Sequence, residues 1–592
     1  MGARQPAGGF ATGPKLGLML DSLPDQVAKL RQRRTAPIIL ELDLTEGIAE
    51  ERPADPVSAV LSRRRPVLAD VLDALRRAAT DPRVTALVAK VGGRPIGLAM
   101  VQELRAAVTA LREAGKQTVA WAETFGEFSA GNVPYYLATA FGTVWLQPSG
   151  DVGLTGIAVE RRFYRGALDR LGVEFQVGKR HEYKSAADQF TEHGFTGPTR
   201  EATDRMSVSV LEQITSAIAA RCRISDEEAR ALVDRGPFLA AEALEAGLVD
   251  ALGYRDEVYA EVRKQTGPEA TMLFLGRYGR AKQVAERARN LPTALRQRPG
   301  LALIYATGPI QRGRSGRSPL PGGGRMGSDT VAAALRAAIS DDHVRAIVLR
   351  VNSPGGSYVA SDTIWREVVR ARGAGKPVVV SMGDVAASGG YFISMAADVI
   401  VAQPGTLTGS IGVLSGKPVL GELLGRYGVS TDSVTVGAHA AMWGTTHPYS
   451  EDEWALVNRW LDHIYADFTG KVASGRGMTA ERVHELARGR VWTGADALAH
   501  GLVDELGGLD LATSLARSRA GLPDDAPVRG YPRNRPIDRL RPATSSEAAA
   551  AAAPRLTAGL LAESWGPVWR QAAAVGLPAA GPLILPGDWS VE

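Results

Sequence analysis

Short aliphatic runs alternate with longer amphipathic stretches along most of the chain. Ile347 to Val351, Val378 to Ser381 and Val399 to Ala402 are β-branched, apolar runs of strand length. Between the first two, Ser361 to Ala374 carries its apolar positions at helical spacing. Strands alternating with helices in this way predict a mainly parallel sheet with helices packed on it, the α/β class. Residues 263–299 depart from the alternation, being helical in pattern and basic, and Gly313 to Gly327, rich in Gly, Pro, Ser and Arg, predicts a mobile loop. Near the C-terminus a Pro/Arg-rich stretch, Pro532 to Pro542, precedes an alanine run, Ala548 to Ala553. Leu556, Leu560, Leu561, Trp565, Val568 and Trp569 follow at helical spacing, which predicts a helix docked on its own protein rather than on a membrane surface.

The pattern is written twice. Asp81-Pro-Arg-Val-Thr-Ala-Leu-Val-Ala-Lys-Val91 matches Asp341-Asp-His-Val-Arg-Ala-Ile-Val-Leu-Arg-Val351 at an offset of 260 residues, and Gly115-Lys-Gln-Thr-Val119 matches Gly375-Lys-Pro-Val-Val379 at the same offset. Gln147-Pro148 and Gln403-Pro404, Leu154-Thr-Gly156 and Leu407-Thr-Gly409, and Ala246-Gly-Leu-Val-Asp250 and His500-Gly-Leu-Val-Asp504 continue the register with small deletions. The expected organisation is an N-terminal segment, 1–36, a first repeat, 37–262, a helical linker, 263–299, a second repeat, 300–516, and a C-terminal extension, 517–592.

Composition narrows the class without choosing a function. The 592 residues are 45% hydrophobic and 22% charged, as in ordinary globular proteins, which excludes collagen-like, disordered and disulfide-stapled chains. Cys222 is the single cysteine, so neither an intramolecular disulfide nor a cysteine-based metal cluster can form; it is expected to be a buried spectator in a reducing compartment. A net charge of +5 is too small to argue for nucleic acid. The basic runs Arg31 to Arg34 and Arg63 to Arg65 read as solvated faces, with contact to anionic lipid headgroups as the alternative. Asp21 interrupts the apolar stretch Leu16 to Leu20 before it reaches the length of a signal-peptide core or a membrane span, so no membrane anchor is expected. The expected location is the cytoplasm or the periphery of a membrane.

Two glycine turns concentrate the chemistry. Asn352-Ser-Pro-Gly-Gly-Ser357 follows the strand ending at Val351, and consecutive glycines there allow backbone N–H groups to converge on a small anion. The first repeat has Val91-Gly-Gly-Arg-Pro95 at the same place. About thirty residues later, Asp384-Val-Ala-Ala-Ser-Gly-Gly-Tyr391 puts Ser388 at a tight turn before an expected helix, Tyr391 to Ala397. Ser388 reads either as a helix N-cap or as a nucleophile whose oxyanion the N–H of Gly389 stabilises. A base is then required. His439 or His447 could complete a Ser-Asp/Glu-His order, although Ala386-Ala-Ser-Gly-Gly390 only half meets Gly-x-Ser-x-Gly. Lys184, in Glu182-Tyr-Lys-Ser-Ala186, is the other candidate, and it needs burial to bring its pKa to about 7–8.

Asn352-Ser-Pro-Gly-Gly356, Ala387-Ser-Gly-Gly-Tyr391, Thr406-Leu-Thr-Gly-Ser-Ile-Gly412, Val491-Trp-Thr-Gly494 and Gly501-Leu-Val-Asp504 together resemble the SppA-type signal peptide peptidases in their long, tandem-repeat form. The resemblance spans about 37–516. It implies two tandem homologous domains of the Clp protease/crotonase-like α/β fold, with Ser388 as nucleophile and Lys184, from the other repeat, as general base. It further implies that Ser410 orients the lysine, and that the oxyanion donors are Gly389 with Gly355 or Gly356. The stretch Gly437 to Trp443 of the second repeat has no lysine and the first repeat has no Ser-Gly-Gly at the nucleophile position, so each copy is incomplete where the other is complete. The implied protein is a serine endopeptidase acting on signal-peptide remnants or other short apolar peptides, a homotetramer with neither metal nor organic cofactor, in peripheral contact with a membrane. A crotonase-like acyl-CoA enzyme and a non-catalytic membrane-associated scaffold are the rival readings.

Overall fold

The computed structural model describes residues 36–51, 65–289, 298–317 and 324–532, together with the backbone of 583–584. The Arg31 to Arg34 run, most of the C-terminal extension and its Leu560, Trp565 and Trp569 stripe lie outside the described residues. Among the described residues no helix is long and apolar enough to cross a membrane.

The two repeats build the same sheet. In the first, the strands run in the order Ala251–Leu252, Thr143–Leu146, Gln117–Ala122, Val84–Lys90, Ile38–Asp43 and Thr271–Phe274, every neighbour parallel. In the second, Glu505–Leu506, Val399–Ala402, Val378–Ala387, Val344–Ser353, Gly300–Thr307 and Val528–Tyr531 repeat that order, again parallel. The duplicated α/β fold expected from the sequence is therefore the fold observed.

The shared Gly-Leu-Val-Asp motif has a structural purpose in both copies. Asp250 accepts the N–H of Val144, and Asp504 that of Ile400, so each carboxylate satisfies a donor at the start of an inner strand. Beside each, a buried tyrosine hydroxyl donates to the leucine carbonyl two residues earlier, Tyr135 to Leu248 and Tyr391 to Leu502.

Three stretches differ from expectation. The piece expected to be a helical linker, 263–299, holds the strand Thr271–Phe274 between the helices Arg255–Thr266 and Leu275–Arg289, and that strand extends the first sheet. Its counterpart Val528–Tyr531 does the same for the second sheet, so the duplication runs past both motif-defined ends. The expected mobile loop from Gly313 to Gly327 contains two paired strands, Gly316–Arg317 and Gly324–Gly327, held by backbone pairing and by Met326, which is buried in the core. The helix expected from Tyr391 to Ala397 is regular only over Gly389–Phe392.

The strand Val378–Ala387 organises the second repeat. Its first half pairs with Val399–Ala402, and its second half diverges to pair with Leu407–Gly409. Ala387 thus delivers the chain to Ser388 at the sheet's carboxyl end, where ligands of open parallel sheets bind.

Candidate active site

Ser388 sits between the end of that strand and the helix Gly389–Phe392. Its φ of 54° is a conformation that side chains other than glycine adopt rarely, and it persists because the surroundings fix it. Its N–H donates to Gly409 O at 2.8 Å and its carbonyl accepts from Phe392 N at 2.9 Å. The main chain is held at both ends, and the hydroxyl is left for a side-chain partner.

The side chain that meets this hydroxyl comes from the other repeat. The first-repeat strand Glu174–Arg180 pairs antiparallel with the second-repeat strand Val413–Val419, Arg180 opposite Val413. Lys184 lies four residues beyond the end of one strand, and Ser410 three residues before the other, so the ribbon brings them together. Lys184 Nζ donates to Ser388 Oγ at 2.8 Å, to Ser410 Oγ at 3.0 Å and to Ser410 O at 3.0 Å. All three residues are fully buried, with 0% relative exposure. Burial alone lowers the Lys184 pKa to about 7.

The lysine segment is clamped by main chain. Tyr183 N–H donates to Arg488 O, and Ser410, itself at a positive φ, donates its N–H to Arg490 O. Gly489 lies so close that a Cβ there would approach the Lys184 backbone to 2.5 Å. His439 is exposed, and His447 is half-buried with its Nδ1 3.3 Å from Thr446 Oγ1, so the histidine alternatives stay apart from the Ser388–Lys184 contact.

The glycine turns converge as the spacing predicts. Gly389 opens a helix, so its N–H precedes any intrahelical acceptor. A Cβ on Gly389 would lie 3.0 Å from Gly355 Cα and 3.1 Å from Gly356 N, which puts the two turns in contact. Gly355 N–H is occupied by Ser353 Oγ at 3.2 Å, and Ser353 Oγ in turn donates to Gly308 O. Gly356 N is thus the better placed of the pair to face an oxyanion beside Gly389.

Sequence reasoning missed a buried ionic seam beneath this site. Arg350 is fully buried and pairs with Glu50 and Glu103 of the first repeat at 2.7 and 2.6 Å. Burial opposes its charge, but the two carboxylates outweigh that and hold it well above the ordinary arginine range. Asp384, four residues before Ser388, accepts the N–H groups of Ala99 and Met100 at the start of the first-repeat helix Leu98–Glu113. Burial, reinforced by Glu50, pushes its carboxyl up to about 6. The signal for the seam was Arg350 inside the apolar run Ile347 to Val351. Cys222 is half-buried rather than buried, with Sγ donating to Gly247 O.

A buried serine–amine pair beside convergent backbone donors, in a duplicated α/β chain, defines a serine-type peptidase. The model of peptidase family S49 matches residues 110–268 and 370–523, one segment in each repeat. Among curated proteins, the chain is 35% identical over 464 residues to Protease 4 of Salmonella typhi, covering 77% of this chain and 72% of that one. It is 30% identical to the chloroplastic serine protease SPPA of Arabidopsis thaliana, over 78% of this chain and 67% of that one. It is 29% identical to Protease 4 of Haemophilus influenzae (strain ATCC 51907 / DSM 11121 / KW20 / Rd), over 78% and 74%. The chain belongs to peptidase family S49, and its activity is that of a signal peptide peptidase-like serine hydrolase. This sets aside the acyl-CoA and scaffold readings.

Proposed function

We propose that Ser388 and Lys184 form the catalytic dyad of an endopeptidase that degrades short apolar peptides, including the remnants of cleaved signal peptides. The carrying observation is the 2.8 Å contact between a fully buried amine and the Ser388 hydroxyl. Neutral Lys184 takes the hydroxyl proton as Ser388 Oγ attacks the peptide carbonyl carbon, and the N–H groups of Gly389 and Gly356 receive the developing oxyanion. Collapse breaks the C–N bond, Lys184 returns its proton to the leaving amine, and an acyl-Ser388 ester remains. Water then attacks that ester with Lys184 again accepting the proton, which releases the acid and restores Ser388. Ser410 holds the amine on line through its hydroxyl and carbonyl.

In this reading the first repeat, 37–262, supplies the base and the second, 300–516, the nucleophile. Each repeat is completed by its edge strand, and the assembly is a homotetrameric ring in peripheral contact with a membrane. The test is labelling with a fluorophosphonate probe, wild type beside Ser388→Ala and Lys184→Ala, with mass mapping of the adduct and light scattering for the assembly. The expected result is an adduct on Ser388 that both variants lose, on a particle of four chains. An adduct elsewhere, or none on folded protein, overturns the dyad.

A further inference from the structure

The turn Arg488-Gly489-Arg490, between the helix Ala480–Leu486 and the strand Val491–Thr493, holds both partners of the Lys184 contact. Arg488 O accepts the N–H of Tyr183, the residue before Lys184, and Arg490 O accepts that of Ser410 at 2.7 Å. Gly489 N–H donates to the carbonyl of Ile411, the residue after Ser410. The turn is strained: Arg488 has a φ of 55°, a conformation that persists in a residue with a side chain only where the surroundings impose it.

The side chains of the same turn converge on Tyr183, which is buried. The guanidinium carbons of Arg488 and Arg490 lie over its ring, 5.3 and 5.1 Å from the centre. Its hydroxyl donates to Glu201 Oε2 at 2.9 Å, on the first-repeat helix Gly197–Cys222, and Arg490 donates to Glu201 Oε1 at 2.8 Å. Arg488 is in turn paired with Glu182, so the two guanidinium groups are matched by two carboxylates. Burial is thereby left to set the proton affinity of the amine.

From this juxtaposition we infer that Tyr183 is a positioning residue: held by Arg488, Arg490 and Glu201, it fixes the root of Lys184 so that the amine stays on Ser388 and Ser410 and away from water. The inference rests on the Ser388–Lys184 reading and deepens it. A lysine side chain is a flexible four-carbon stem, so a steady contact at its tip needs a rigid start. An aromatic ring stacked with planar guanidinium groups supplies that rigidity, and a bonded hydroxyl stops the ring from sliding. The other titratable groups at the turn are His181, whose carbonyl accepts the Lys184 N–H, and His484; both rings pack on Tyr465, whose hydroxyl accepts the Arg488 N–H.

The test uses the full chain and follows fluorophosphonate labelling from pH 5 to 9, with mass mapping to Ser388, beside KM and kcat on a fluorogenic apolar peptide. His181 and His484 are common to all the variants, so differences between profiles report Lys184. Tyr183→Leu and Arg490→Met should each shift the midpoint upward from about 7 by about one pH unit, because a loosened segment lets water reach the amine. Labelling at pH 7 then falls about tenfold while KM stays as in wild type. Tyr183→Phe keeps the ring under the guanidinium groups and should recover most of the rate. If Tyr183→Leu does not fold, Arg490→Met carries the test, since its carbonyl remains to hold Ser410. A midpoint unmoved in a folded variant, whether its rate is kept or uniformly reduced, overturns the clamp and leaves the dyad standing. If wild type does not label on Ser388, the dyad reading fails and this inference fails with it.

Discussion

Lys184 is tuned by place rather than by a neighbouring charge, since burial is the cause of its lowered pKa. The rate of Ser388 acylation should therefore rise tenfold per pH unit below about 7 and level off above it, because only the neutral amine accepts a proton. A stopped-time labelling series from pH 5 to 9 measures this; a flat profile removes Lys184 as base. Stability follows with a defined sign. The folded state releases the lysine proton near 7 and the unfolded chain near 10.5, so wild type gains stability as pH rises between those values. Lys184→Met should be inactive yet more stable at pH 6, by up to about 5 kcal/mol. The gap should narrow as pH climbs toward the ordinary lysine value, and urea titrations at pH 6 and 9 decide it. Gly356→Ala is expected to cost activity at least about a hundredfold, because its φ is +151° and a Cβ there would stand 2.1 Å from Ile310 O. Ser388 and its glycines were legible because the motif is local. Lys184 was one candidate beside His439 and His447, and only the family resemblance singled it out, since its contacts with Ser388 and Ser410 span more than 200 positions. Choosing between Gly355 and Gly356 needed the Ser353 hydroxyl, whose direction no spacing encodes.

The ribbon of Glu174–Arg180 and Val413–Val419 is what brings Lys184 to Ser388. Its sequence hid it: Glu174-Phe-Gln-Val-Gly-Lys-Arg180 is largely polar and only partly buried, so it lacks the apolar run that announced the sheet strands. The opposite case is Val378–Ala387, where the apolar run expected to be a strand stops at Ser381 but the strand continues to Ala387. Asp384 is tolerated there because it caps another helix rather than facing a core. The ribbon gives an element-scale prediction. Any Cβ at Gly416 would meet Gln176 O at 2.0 Å, so Gly416→Val should pry the two strands apart. Lys184 then regains solvent, its pKa climbs, and the acylation profile moves to higher pH with a fall of about a hundredfold at pH 7. Gly425→Ala, where a Cβ has open space, is the matched control and should keep the wild-type profile. An unshifted profile in Gly416→Val would mean that the lysine is positioned without the ribbon.

At the scale of the molecule, duplication has been turned into division of labour. The offset of 260 residues made the two copies visible, and their sheets share one strand order. What the repeat could not reveal is the surface between the copies, because there the copies differ: Arg350 stands where the first repeat has Lys90, and its partners Glu50 and Glu103 belong to the opposite half. The first repeat's helix Leu98–Glu113 receives Asp384, while its counterpart Tyr358–Gly373 follows the oxyanion turn. One helix start has become a docking socket and the other lies behind the reaction. A buried ion cluster is a poor source of net stability but a severe liability when broken, since a stranded carboxylate cannot regain water. Arg350→Met should therefore lower unfolding free energy by about 3–5 kcal/mol. Adding Glu103→Gln should recover part of it, because the amide oxygen can still accept the Leu509 N–H that Glu103 now accepts at 2.7 Å. Urea denaturation of the three proteins at pH 7, read together with Ser388 labelling below the transition, separates two outcomes. Loss of labelling before loss of secondary structure places the seam as the hinge that keeps Lys184 over Ser388. Coincident loss makes it part of a single cooperative core, and an unchanged Arg350→Met midpoint would mean the two halves are held together without the seam.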